Sequence, residues 1–197
     1  MIISTDNARV KMVRSLQTRR RVRQREKSLV FEGVRLVEEV AHAKVAPRFV
    51  LFGNLPTPSR REKQVLAIFR AQGVPCYEVS KQVMLTCSDT VTPQGLLTVI
   101  PFPDLAVPRH PRAILLVDQV RDPGNLGTIL RTAWAAGVEL VLLSPGTVDP
   151  SSPKVVRSAM GAHLRLPVVA PGWDTIAQII SDSEVWLAAA YPGSLGP

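Results

Sequence analysis

Short apolar runs alternating with amphipathic stretches predict an α/β protein. A proline-rich break predicts two parts: a small N-terminal α/β unit, then a doubly wound, mostly parallel sheet. Three observations carry this. Runs such as Phe49–Phe52, Ala113–Val117 and Val138–Leu143 alternate with segments of helical periodicity, the pattern of strands joined by helices. Residues 101–112, Pro-Phe-Pro-Asp-Leu-Ala-Val-Pro-Arg-His-Pro-Arg, hold four prolines and no glycine, which reads as a stiff, extended linker. Hydrophobic residues make up 46% of the 197, enough to fill a core in each part. The expected division is therefore 1–100, linker 101–112, and 113–197.

In the first unit, residues 7–18 place Val10, Val13 and Leu16 at helical spacing. Leu29–Phe31 reads as a strand closed by Gly33, and a helix follows from about Val34 to Ala43. Phe49–Phe52 is a second strand. Ser59 is placed to cap a helix carrying Leu66, Ile68 and Phe69 and ended by Gly73. Strands near Pro75–Val79 and Gly95–Ile100 flank a short helix capped by Ser80. The alternation implies a largely parallel sheet here too.

The second unit repeats more regularly. Ala113–Val117 is a buried strand, Gly124–Ala136 a helix ended by Gly137, and Val138–Leu143 the next strand, with a turn at Ser144-Pro-Gly146. Ser152 can cap a helix with Pro153 in its first position, running to about Met160. Leu164–Val169, Trp173–Ile180 and Glu184–Ala190 read as strand, helix and strand. A βαβαβαβ order means a doubly wound sheet. The chain stops at Gly193-Ser-Leu-Gly-Pro197 where another helix and strand are expected, so the domain reads as unfinished.

Charge is distributed unevenly. The net charge is +8. Residues 1–60 hold 13 basic and 5 acidic residues, so all the excess lies there. Lys11–Lys27 contains eight basic residues against Glu26 alone, with Arg19-Arg20-Arg21 at the centre. Such a field attracts a polyanion, nucleic acid above all. A solvated helix face is the bland alternative. Almost no aromatics interleave the run, which favours phosphate contacts over base stacking.

Other classes are disfavoured. No apolar run is long enough to span a bilayer, and Met1-Ile-Ile-Ser-Thr-Asp6 lacks the layout of a signal peptide. Cys76 and Cys87 have no metal-ligand spacing, and His42, His110 and His163 are scattered. Neither a zinc site nor a disulfide framework is expected, and a reducing cytoplasm is the default.

Two segments carry the chemistry, Asp122-Pro-Gly-Asn-Leu-Gly-Thr-Ile-Leu-Arg131 and Lys154-Val-Val-Arg-Ser-Ala-Met-Gly161. Each brings glycine and cationic side chains to a helix that follows an apolar strand, where ligands of open α/β sheets collect. The first is neither a dinucleotide fingerprint nor a phosphate-binding P-loop. Gly127 and Arg131 are four residues apart and share a helix face, so the glycine can leave room for a ligand that the guanidinium reaches. Lys154, Arg157 and Ser158 lie on one side of the second helix, and Gly161 again offers clearance. The alternative is that Gly127 and Gly161 serve close packing and the cations are surface charges.

Asn125-x-Gly127-x-x-x-Arg131 with Ala133, then Lys154-x-x-Arg157-Ser158-Ala-Met-Gly161-Ala162, resembles the first two motifs of the SpoU (TrmH) family. These are RNA ribose 2′-O-methyltransferases of the SPOUT superfamily, with a trefoil-knot fold. Phe31-Glu-Gly-Val-Arg-Leu-Val-Glu38 and Ser88-Asp-Thr-Val-Thr-Pro-Gln-Gly95 are similar to stretches of the substrate-binding domain many members carry. The resemblance covers nearly the whole chain.

It implies methyl transfer from S-adenosylmethionine to a ribose 2′-hydroxyl of structured RNA, ribosomal RNA before transfer RNA, in a cytoplasmic homodimer. By position, Asn125 would orient the ribose or the loop, and Arg131 would hold the adjacent phosphate and favour the alkoxide. Gly127, Ser158 and Gly161 would shape the substrate site, and Lys154 and Arg157 would bind phosphate beside Arg19, Arg20 and Arg21. Ala189 and Ala190 match where the family begins to contact the cofactor. The family's third motif, which supplies most of the cofactor pocket and threads the knot, has no counterpart before Pro197. The expectation is a fragment of a longer enzyme that binds the cofactor poorly or not at all. The alternative is a non-catalytic, RNA-binding relative.

Overall fold

Asn7 opens the first helix by accepting the Arg9 N–H on its side chain. A computed structural model describes residues 1–53, 59–90 and 92–188. Helix α1 (Ala8–Thr18) buries Val10, Val13 and Leu16 completely. An extended Arg19 breaks it from α2 (Arg20–Glu26), and the left-handed Lys27 ends α2. Then come β1 (Ser28–Glu32), α3 (Val34–His42), β2 (Phe49–Gly53), α4 (Arg60–Ala71), β3 (Cys76–Val79), α5 (Lys81–Cys87) and β4 (Leu96–Pro101).

The four strands form one sheet in the order β1-β4-β2-β3. Successive side chains point to opposite faces, so each strand feeds two cores. Leu29, Phe31, Val50, Leu96 and Ile100 meet α3 and α4 on one face. Val30, Leu51, Val79, Leu97 and Val99 meet α1 and α5 on the other.

The expected largely parallel sheet is not what forms here. β4 runs antiparallel to both β1 and β2, and only β2–β3 is parallel. The cause is where β4 enters. It starts between β1 and β2 at the end where both finish, Leu97 opposite Glu32 and Leu96 opposite Phe52, so it must run back against them. Gly33 and Gly53 N–H donate to the Leu96 and Gly95 carbonyls.

Residues 102–113 have no regular structure, as the prolines require, but the segment is docked. The Phe102 N–H donates to Lys27 O, and its ring packs on the first core. Beyond it lie β5 (Ile114–Val117), α6 (Pro123–Ala135), β6 (Leu140–Leu143), α7 (Pro153–Ser158), a 3₁₀ turn (Ala162–Leu164), β7 (Val168–Val169) and α8 (Trp173–Ile180). The sheet β5-β6-β7 is wholly parallel. Helices α6 and α7 cover one face through Leu126, Leu130, Val155 and Ala159. Ile176 of α8 covers Leu140 and Leu142 on the other. This is the doubly wound arrangement the sequence predicts.

Two boundaries differ. The strand expected over Leu164–Val169 shrinks to Val168–Val169, because Leu164 sits in the 3₁₀ turn and Pro167 has no N–H for a ladder. The strand expected over Glu184–Ala190 does not form across residues 184–188, which are irregular and exposed, Trp186 at 85%. They pair with no strand among the described residues. Ala189 and Ala190 lie outside the described residues.

The two units share a core. Val156 and Leu164 enter the cluster of Leu29, Phe31, Leu36 and Val37, and α7 packs on β1. A cleft of about 490 Å³ remains between them, bounded by Arg20 and Gln24, the linker from Phe102 to Val107, the Asp149–Ser151 loop and His163.

Candidate functional site

The carboxyl ends of β5 and β6 are tied into one platform by the Ser144 and Thr147 hydroxyls and by backbone bonds. Ser144 Oγ donates to Asp118 Oδ1 at 2.6 Å and accepts the Gln119 N–H at 3.0 Å. Gln119 is held left-handed, at φ 49°, and Val148 N–H donates to the Val120 carbonyl. The loops after both strands are therefore joined to each other as well as to the sheet.

From that platform Asp122 begins α6. Its carboxylate accepts the Asn125 N–H at 2.8 Å, and Pro123 takes the first helical position. That backbone hydrogen bond, with Lys154 nearby, holds the Asp122 carboxyl below the usual carboxylate range. Lys154 Nζ, from the start of α7, lies 3.7 Å from Asp122 Oδ2 with both side chains well exposed. Asn125 and Arg131 are both exposed on α6. At 100° per residue they project about 120° apart, so Arg131 shares its face with Gly124 and Thr128.

Gly127 is on the α6 face that the sequence reading gave it, about 40° from Arg131, but it meets α7 rather than open space. A Cβ there would stand 2.4 Å from Ser158 Cβ, 2.7 Å from Val155 O and 3.0 Å from Ala159 N. The room beside Arg131 that the glycine was expected to leave for a ligand is filled by α7. Ser158 correspondingly packs on α6. The alternative of close packing is the one the geometry realises.

Gly161 is likewise enclosed. It sits at φ 92° after a left-handed Met160, a backbone turn that favours glycine. A Cβ would meet Glu39 Cβ and Cγ at 3.1 Å. Glu39 pairs with Arg165 at 2.9 Å, and Arg165 stands over the Trp134 ring at 5.1 Å. Arg157, expected on phosphate, is ion-paired with Asp89 of the first unit. Asp89 belongs to a loop organised by Glu32, whose carboxylate accepts Ser88 Oγ, Thr90 Oγ1 and the Asp89 N–H.

The structure thus brings Asn125, Lys154 and the Asp122 cap together at one sheet end, with Arg131 further along the same exposed helix. Gly127 and Ser158 meet where α6 packs on α7, Arg157 of α7 pairs with Asp89, and Gly161 lies against Glu39. Arg19, Arg20 and Arg21 are exposed where α1 meets α2.

Sequence reasoning missed the groups that join the basic run to this site. Arg23 is buried, with 5% of its surface exposed, inside a run otherwise read as phosphate-facing. It donates to Asp149 Oδ2 at 2.7 Å, Ser151 Oγ at 3.1 Å and the Leu16 carbonyl at 2.8 Å. Burial pushes the Asp149 carboxyl up, but the hydrogen bonds from Arg23 and Ser151 outweigh it and the net shift is downward. The enclosed His163 ring is pushed below the ordinary histidine value by burial. Its Nε2 lies 2.8 Å from the Pro150 carbonyl, so that nitrogen carries the proton. No periodicity marks Arg23. One faint signal was Asp149-Pro-Ser-Ser152, whose Asp can accept from its own turn.

Comparison with known proteins agrees with this architecture. Residues 112–195 match the SpoU rRNA Methylase family, and residues 7–98 match the MRM3-like substrate binding domain. The chain is 40% identical over 179 residues to rRNA methyltransferase 3A, mitochondrial, of Danio rerio, covering 86% of this chain and 40% of that protein. A solved RNA 2′-O ribose methyltransferase superposes with a TM-score of 0.75 at 31% identity, covering 92% of this chain and 69% of that one. The AdoMet-bound rRNA methyltransferase from Sinorhizobium meliloti gives 0.74 at 28% identity, covering 91% and 67%. The chain spans about two fifths of the length of its Danio rerio relative. With a solved relative matched at 31% identity over 69% of its length, the chain belongs to the SpoU (TrmH) rRNA methylase family.

Proposed function

We propose that this chain forms the substrate-binding unit and the first two catalytic segments of an enzyme that methylates a ribose 2′-hydroxyl in structured ribosomal RNA, with S-adenosylmethionine as methyl donor. The division follows the linker: 1–100 for substrate binding, 101–112 as the connection and 113–197 for methyl transfer. One observation carries the reading. The exposed Asn125, Arg131 and Lys154 sit on the helices that leave one rigid strand-end platform, in a chain whose basic run is docked against the same unit through Arg23.

The hydroxyl must be aimed at the methyl group and must lose its proton. Asn125 offers an amide to the ribose or its neighbours. Arg131 stays protonated, so it serves as a fixed positive charge for the developing alkoxide and the adjacent phosphate rather than as a base. The substrate phosphate shares the task of removing the proton. Lys154 adds a second phosphate contact beside the α6 N-terminus. Most of the rate enhancement comes from positioning.

The methyl donor supplies an electrophilic carbon. Among the described residues the donor's site is not complete. The linker cleft and the smaller cavity by Phe52 and Glu62 both lack Asn125 and Arg131 from their walls, and Ala189 and Ala190 lie outside those residues. We place the enzyme in the compartment of its ribosomes, the cytoplasm, as a homodimer. No helix among the described residues is long and apolar enough to cross a membrane.

Titration of labelled S-adenosylmethionine against the complete enzyme that carries this chain, alone and with a ribosomal RNA transcript, tests the reading. Binding followed by methyl transfer supports it. RNA binding with no cofactor binding favours the non-catalytic alternative.

A further inference from the structure

We infer that Arg23 is a positioning residue, which carries the register of bound RNA into helix α7. This rests on the functional reading above. Eight basic residues stand between Lys11 and Lys27, and Arg23 is set apart from the others by its surroundings. Its side chain is 7% exposed. All three of its nitrogens donate within the protein, to Ser151, Leu16 and Asp149. Buried in this way, it is closed off from a phosphate in solution.

What Arg23 holds at each end matters. On its own side lies α2, a helix of seven residues that starts with Arg20 and Arg21 and is capped by Arg19. Arg20 and Arg23 are one turn apart, and the Arg20 Nε stands 3.9 Å from the same Asp149 Oδ2 while its side chain stays 65% exposed. On the far side lies the turn that starts α7. The Asp149 Oδ1 accepts both Ser151 N–H at 3.0 Å and Ser151 Oγ at 2.6 Å, and the Asp149 carbonyl accepts Ser152 N–H at 3.1 Å.

Ser152 is followed by Pro153 and Lys154. Helix α7 then seats on α6 through Ser158 and Gly127, with Arg131 one turn further. A phosphate fixed at Arg19–Arg21 is therefore linked to the α7 turn by a run of buried hydrogen bonds through Arg23, Asp149 and Ser151, and from there to Lys154 and α6 by the α7 backbone and its packing. Such a run has little slack, and a shift of about 1 Å in a bound substrate costs about a hundredfold in rate.

The test compares the full chain with Arg23→Met, and with Arg23→Met combined with Asp149→Asn. The double variant removes both charges, so no unpaired carboxylate is left buried. It should stay folded, with the far-UV spectrum of the parent. Its RNA affinity should keep the same salt slope, because Arg23 touches no phosphate. Its kcat should fall about tenfold or more while KM for RNA changes less than about threefold. Amide exchange at Ser151 and Ser152 should speed up about tenfold or more, with β1 and β6 unchanged. Neutralising Arg19, Arg20 and Arg21 should do the reverse, lowering the salt slope and raising KM.

A salt slope that falls by about one unit in the double variant, or unchanged kcat with unchanged exchange, overturns the inference. If the complete enzyme that carries this chain transfers no methyl group, the functional reading fails instead. The exchange rates at Ser151 and Ser152 then still decide whether Arg23 holds the α7 turn.

Discussion

Gly127→Ala tests how α6 and α7 are joined, and its cost can be worked from three distances. The added methyl would stand 2.4 Å from Ser158 Cβ, 2.7 Å from Val155 O and 3.0 Å from Ala159 N. Carbon atoms reach their best contact at about 3.5–4.0 Å, so the first distance is short by more than about 1 Å. Two of the three obstructing atoms are backbone, and no side-chain rotation removes them. Relief requires α7 to retreat, which opens the seam of Leu126, Leu130, Val155 and Ala159, all buried. Inserting a methyl into such a seam costs about 1–3 kcal/mol. The backbone clash puts this case near the upper end, while alanine returns about 1 kcal/mol of helix propensity. The expected net loss is about 2 kcal/mol, which for a chain of this size lowers Tm by about 4–8 °C. Thermal unfolding followed by circular dichroism reads it directly. Adding Ser158→Gly removes the shortest contact alone, so it should recover part of the loss and not all. A Tm equal to or above that of the parent would show that α7 does not seat on Gly127.

Three further outcomes follow from the same coordinates. Acid should destabilise the protein in two steps, because His163 and Asp149 are both shifted below their ordinary values. For each, the unfolded chain binds more protons than the folded one, so stability is complete above the unfolded pKa and drains away as pH falls. The His163 step begins below about 6.5 and the Asp149 step below about 3.9. Urea midpoints from pH 8 to 5 should fall in the parent and flatten in His163→Gln; a parent that gains stability over that range contradicts the burial argument. Burial pushes the Cys87 thiol up to about 11, so at pH 8 a thiol reagent should label the half-buried Cys76 first, and equal rates would refute the burial of Cys87. Arg131→Ala should leave Tm within about 1 °C, as expected for an exposed side chain, while abolishing methyl transfer. A large loss of stability would make Arg131 structural.

The sequence displayed the strands and helices well because their cores alternate cleanly. Leu29, Val30 and Phe31 fill both sides of the first sheet, and Leu140 to Leu143 do the same in the second. Strand direction was harder. Nothing local in Leu96–Pro101 says that it runs against β1 and β2; the end at which it enters the sheet decides that, and the strands it pairs with are distant in sequence. Pro167 could have warned that the third strand of the second unit would be short. The sequence also allowed both readings of Gly127, since a cleared space and a filled one leave the same residue behind. Arg23 was hidden for a related reason. Burial of one arginine among eight basic residues depends on Asp149, more than a hundred positions away.

The decisive measurement is the chemical position of the transferred methyl group. A ribosomal RNA transcript is incubated with the complete enzyme that carries this chain and with methyl-labelled S-adenosylmethionine, then digested with alkali. Methyl on a 2′-oxygen blocks cleavage at that nucleotide, so the label should appear in an alkali-resistant dinucleotide, and Arg131→Ala should remove it. Label recovered on a base, or an Arg131→Ala protein that transfers methyl at the parent's rate, would contradict the site described above.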